Sequence, residues 1–148
     1  MAYTQSKRRR RHHAKAGYSL LEILIVLAII ALIAALVGPK LFAQFDKSKV
    51  TTAKVQVKAL ADAVQTMQLD VGRFPTEQEG LSMLEKSPGD SAPNWQGPYV
   101  SGGVVPKDPW GHDYVYVAPT GEGQDPKVVS LGADGKPGGS GNSADVSS

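Results

Sequence analysis

The stretch Gly17-Tyr18-Ser19-Leu20-Leu21-Glu22-Ile23-Leu24-Ile25-Val26-Leu27, which continues apolar to Val37, decides the fold of this chain. From Leu20 to Val37, at about 1.5 Å of rise per residue, it makes roughly 27 Å of helix, against about 30 Å of bilayer hydrocarbon. Glu22 is the one charged residue in that run. An ionised acid at mid-bilayer costs on the order of 2.5–3.5 kcal/mol, so a carboxylate kept there points to function and to a cationic partner at the same depth. The run contains no Lys or Arg. An α-amino group would serve, made by cutting the chain after Gly17 and carried by a neighbouring copy.

Ahead of the run stand Lys7, Arg8, Arg9, Arg10, Arg11 and Lys15, with no acid among them. The basic leader, the Gly17-Tyr18 junction, Glu22 and the apolar stretch ending at Pro39 together resemble the type IV pilin and pseudopilin N-terminus. The resemblance implies cleavage between Gly17 and Tyr18 by a prepilin peptidase, with N-methylation of Tyr18. Phe is usual at that position, and Tyr keeps the aromatic ring. An ordinary secretory signal or a simple anchor also begins with basic residues and an apolar stretch. The run exceeds the usual h-region of about 7–15 residues, and an acid would serve nothing in a discarded segment.

Charge has to be read after that cut. The chain has 16 Lys and Arg against 14 Asp and Glu. Six of the basic residues precede Gly17, so the remainder holds ten against fourteen, a net of −4. The Arg run therefore reads as a topology signal that keeps the N-terminus cytoplasmic and sends everything after Val37 outward. It does not read as a nucleic-acid site.

Beyond Pro39 the helical spacing resumes. Leu41, Phe42, Phe45, Ala53, Val57, Leu60, Ala61, Val64, Met67 and Val71 form an apolar stripe, while Lys47, Lys54, Lys58 and Asp62 fall mostly elsewhere. One long helix is expected, kinked or loosened at Pro39, with Gly72 closing it and Pro75 behind. Thr76 with Glu79 has the capping-box pattern and predicts a short helix over 77–86. Residues 87–98 read as loop. Tyr99–Val105, Asp113–Ala118 and Val128–Leu131 have strand character. The expected architecture is α+β, a small antiparallel sheet laid on the second half of a long helix. Its divisions are a cleaved leader (1–17), a transmembrane half-helix (18–38), an extramembrane half-helix (39–75) and an α+β head (76–148).

Gly72-Arg73-Phe74-Pro75-Thr76, Pro106-Lys107-Asp108-Pro109-Trp110-Gly111 and Ser130-Leu131-Gly132-Ala133-Asp134-Gly135 narrow the resemblance to the major pseudopilin of type II secretion, over residues 17–145. Physically these motifs read as rigid turns, with Trp110 filling the sheet–helix interface. The chain has no Cys, so its small exported head cannot be stapled by a disulfide.

The tail from Asp134 to Asp145 is rich in Gly, with a carboxylate at each end. Its spacing superficially follows an EF-hand loop, but Lys136 and Gly138 occupy ligand positions, which rules that out. Read by residues alone, it is a solvated tail. The resemblance implies instead a calcium loop, with Asp134, Asp145 and oxygens at Leu131 and Ser143 as ligands, or Asn142 in place of Ser143. No nucleophile setting surrounds His112, and Asp108 and Asp113 read as turn residues, so no enzyme activity is expected.

The resemblance implies a subunit of the periplasmic pseudopilus, anchored by a single span in the bacterial inner membrane. It would polymerise with itself and meet minor pseudopilins and an inner-membrane assembly platform. Two other readings stay open at this point: a pilin of a surface or DNA-uptake fibre, and a lone anchored calcium-binding domain.

Overall fold

A computed structural model of the chain describes residues 18–121 and 123–148. The leader (1–17), with Gly17 at its end, lies outside the described residues. The chain separates into two compact units, one ending at Lys40 and the other Leu41–Ser148.

Helix α1 covers Leu20–Val71, 52 residues, with Glu22 in its first turn and Pro39 inside it. Its first part is apolar all round and exposed: Leu24 is 55 % exposed and Ile30 57 %. By length and composition this helix can cross a membrane. Gly72 ends it as the sequence predicts, at φ +84°, with its N–H donating to Gln68 O at 2.8 Å. Only glycine adopts that left-handed geometry without strain.

In the second unit Ala53, Val57, Leu60, Val64 and Met67 of α1 are buried. They sit at i, i+4, i+7, i+11 and i+14, one face of a 3.6-residue period. Leu41, Phe42 and Phe45, expected in the same stripe, are instead 54, 72 and 64 % exposed. The core begins further along, near Val50, so the apolar stripe is longer than the head it carries.

The short helix expected over 77–86 is a turn followed by a five-residue 3-10 segment, Gly80–Leu84. Gly80 stands at φ +51°, which no α-helix tolerates. The capping box itself forms: Thr76 N–H donates to Glu79 Oε2 at 2.9 Å and Glu79 N–H to Thr76 Oγ1 at 3.2 Å. Arg73 adds two bonds of 2.7 Å to the same carboxylate. Leu81, Met83 and Leu84 then point into the core.

The segment 87–105 carries no strand. Gly102 and Gly103 take φ of +78° and +74° around a 3-10 turn at Ser101–Gly103, which overturns the strand expected over Tyr99–Val105. Side chains fasten this loop. Trp95 Nε1 donates to Met83 O at 2.8 Å, Tyr99 stacks edge-on against Trp95, and Tyr99 Oη donates to Asp70 Oδ2 at 2.8 Å.

The sheet has three antiparallel strands in the order β1-β2-β3: Val115–Val117, Lys127–Ser130 and Val146–Ser147. Tyr116 pairs with Val128, and Ser130 with Val146. With Tyr114 these residues make the inner face, as strand alternation requires. Tyr114 and Tyr116 are both pushed up to about 12, chiefly by burial. Their hydroxyls donate to Gln56 Oε1 of the helix and to Pro75 O. Strand β3 lies in the Gly- and Ser-rich tail, where the residues alone suggested none.

Candidate functional site

Two features qualify, the N-terminal part of α1 and the C-terminal loop. Tyr18 is 80 % exposed two residues before the start of α1, and Glu22 is exposed in its first turn. Gly17, the other side of the expected cleavage, lies outside the described residues. No Lys or Arg occurs between Glu22 and Lys40, so nothing in this stretch of helix can neutralise the acid.

The C-terminal loop leaves β2 at Leu131 and returns into β3 after Asp145. Two hydrogen bonds close it. Ala133 N–H donates to Asn142 O at 2.9 Å, and Gly138 N–H donates to Asp145 Oδ2 at 2.9 Å. Asp134 Oδ1 accepts Lys136 N–H at 3.2 Å. Glycines permit the crossing. A Cβ on Gly132 would lie 2.9 Å from both Asn142 O and Ala144 O, and one on Gly139 would overlap Ser143 O. The loop thus brings Gly132 and Ala133 against Asn142–Ala144, with Leu131 and Ser143 in or beside that contact. The carboxylates of Asp134 and Asp145 bond to Lys136 N–H and Gly138 N–H of the same loop.

The donor set is one of hard oxygens. Asp134 and Asp145 each spend one carboxylate oxygen on a loop N–H and keep further lone pairs. Among the described residues no three His, Cys, Asp or Glu side chains gather as a metal cluster. A cation here would draw on backbone and hydroxyl oxygens as well as the two acids. That mixture suits calcium, which takes carbonyls and carboxylates in flexible loops, and it suits neither zinc nor a soft metal.

A third group, unforeseen in the sequence, anchors the loop. Asp108 is 4 % exposed and its carboxylate is fully engaged. Oδ1 accepts Trp110 N–H at 3.1 Å and His112 N–H at 2.8 Å, and Oδ2 accepts Ser130 Oγ at 2.7 Å. The turn role expected for Asp108 is there, and the link to Ser130 is added. Strand alternation held the signal, because Ser130 lies two residues from buried Val128 and shares its face. Trp110 packs half-buried against the core.

Comparison with known proteins agrees with this arrangement. Residues 40–148 match the family described as type II secretion system (T2SS), protein G. Residues 12–38 match the prokaryotic N-terminal methylation motif. The type II secretion system core protein G of Pseudomonas aeruginosa is 43 % identical over 135 residues, covering 89 % of this chain and 93 % of that protein. Its counterpart in Xanthomonas campestris pv. campestris is 42 % identical over 132 residues, covering 89 % and 88 %. That of Vibrio cholerae is 35 % identical over 140 residues, 93 % of each. Among solved structures, the major pseudopilin from the type 2 secretion system of enterohaemorrhagic Escherichia coli superposes with a TM-score of 0.58 at 28 % identity. That match covers 74 % of this chain and 93 % of the other. A long helix with an exposed apolar first part, a three-stranded head and a matching methylation motif place this chain in the protein G family of type II secretion, the major pseudopilins.

Proposed function

We propose that this chain is the major structural subunit of the periplasmic pseudopilus, polymerising into a helical filament that helps export folded proteins across the outer membrane. The observation that carries the reading is the exposed apolar surface of α1 from Leu20 to Phe45, interrupted by Glu22 alone before Lys40. A monomer leaves that surface to lipid, and a filament buries it against other copies. The contact is head-to-tail and does not close on itself, so it grows into a fibre.

In this reading a prepilin peptidase cuts between Gly17 and Tyr18 and methylates the Tyr18 nitrogen. The subunit waits in the inner membrane as a single span, with its head in the periplasm. Minor pseudopilins and an inner-membrane assembly platform are its other partners. Glu22 pairs with the Tyr18 amine of the adjacent subunit, so that each charge offsets the cost of burying the other. Filament register follows from that pairing.

Calcium is the proposed ligand of the C-terminal loop, held by Asp134 and Asp145 with oxygens of Leu131 and Ser143. The support is the hard-oxygen donor set and the glycine-permitted approach of the two segments. Bound calcium would neutralise two acids and close the loop as a disulfide does elsewhere. Asn142 is the alternative to Ser143, since its carbonyl accepts Ala133 N–H and keeps a second lone pair.

The test is assembly of Glu22→Ala, scored by crosslinked ladders on chains whose mass shows a start at N-methylated Tyr18. Insertion should be unchanged or improved, and ladders should be lost or disordered. Wild-type ladders from Glu22→Ala would sink the pairing, and a start near Gly38 would sink the processing.

A further inference from the structure

His112 has no part in the assembly just described, yet its ring reaches into the calcium loop. Nδ1 lies 3.0 Å from Gly132 O. A carbonyl only accepts, so Nδ1 must donate, which leaves Nε2 bare in the neutral ring. The other end of the ring lies against Gly135, where a Cβ would stand 3.1 Å from Nε2. Gly132 and Gly135 bracket Asp134, so the imidazole spans the turn that carries this acid.

The ring is itself held in place. His112 N–H donates to Asp108 Oδ1 at 2.8 Å, and Asp108 N–H donates to His112 O at 2.9 Å. Asp108 is buried and tied to Ser130 Oγ, and that same Oγ lies 3.4 Å from Gly132 N. One connected network therefore runs from the Asp108 turn through the end of β2 to both sides of Leu131. We propose that His112 is a positioning residue for the calcium loop, donating from Nδ1 to Gly132 O so that the Leu131–Asp134 turn is set before the cation binds. This rests on the calcium reading of the loop. Groups that orient ligands from outside the coordination shell typically change metal affinity about 10–100-fold when removed.

The experiment uses the full chain in detergent micelles, titrated with calcium ion by calorimetry, for wild type, His112→Ala and His112→Asn. His112→Ala should weaken the calcium Kd about tenfold or more. His112→Asn, whose Nδ2 stands where Nδ1 stands, should recover most of that loss. In wild type, ¹⁵N-histidine NMR should find the neutral ring protonated at Nδ1, with the His112 signal assigned by its disappearance in His112→Asn. A Kd in His112→Ala equal to wild type, with only the melting temperature in chelator lowered, would reduce the contact to general stability and overturn the proposal. A proton on Nε2 overturns it equally, and that measurement stands even if His112→Ala does not fold. Wild type that binds no calcium at all removes the calcium reading itself, an outcome distinct from the other two.

Discussion

Glu79 accepts both terminal nitrogens of Arg73 and the Thr76 N–H, and these bonds, the Arg73 pair foremost, hold its carboxyl down to about 2. Its ordinary value is 4.5, so the folded state favours the ionised form. The stability this contributes is complete above pH 4.5 and is lost as pH falls toward about 2. Glu79→Gln keeps the shape but not the charge, and should cost about 1 kcal/mol at neutral pH. Urea midpoints across an acid series check this: the gap between wild type and variant should close as pH falls through that window. A gap independent of pH would contradict the pairing. The Thr76–Glu79 box was legible because capping acts over three residues of continuous chain. The part of Arg73 was not, since its side chain reaches six residues ahead to Glu79, past the Phe74 carbonyl it also bonds, and helical or strand spacing does not encode such a contact.

Among the elements, the long helix and the pairing of β1 with β2 follow from periodicity, because each presents a repeating apolar face to one core. Strand β3 does not. It has one inward residue, Val146, in a setting of Ser and Asp, and it becomes a strand only because the glycine loop delivers it to the edge of β2. The strand expected over Tyr99–Val105 fails for the opposite reason, its apolar residues being interrupted by two left-handed glycines. The loop that delivers β3 makes a sharp prediction about two neighbours. Gly138 and Gly139 both have positive φ, +95° and +85°, but only at Gly139 would a Cβ meet Ser143 O. Gly138→Ala should therefore cost backbone strain alone, about 1 kcal/mol, and Gly139→Ala about 1–3 kcal/mol more. Hydrogen exchange at the Val128 and Ser148 amides, which bond across β2 and the chain end, would report the difference. Equal protection in the two variants would mean that the close approach at Ser143 does not matter.

For the whole molecule, the question is what stabilises a small head with no cysteine. Its core draws on five helix residues and a handful from the loops and strands. Calcium in the loop would add RT ln(1 + [Ca]/Kd), about 2.7 kcal/mol at a hundredfold excess over Kd. The full chain in detergent should therefore melt higher with calcium than with chelator. Magnesium should substitute poorly, because it demands near-octahedral geometry and keeps its waters. Asp134→Ala should abolish the gain. Equal melting temperatures with calcium and chelator would leave the loop without its proposed ligand. The sequence could show the acids and glycines of this loop, but not that its two ends cross, because that depends on where β2 and β3 lie.

The pairing of Val129 with Ser147 and Ser130 with Val146 also orders events in time. Those partners lie beyond β2 in the chain, so they are synthesised after it. Until they arrive, β2 has an open edge and the Val128 amide lacks its bond to Ser148 Oγ. A polypeptide released early by the ribosome, short of Val146, would thus present an unpaired strand to any protease it met. An exposed edge on β2 would set a chain released short of β3 apart from one that carries it.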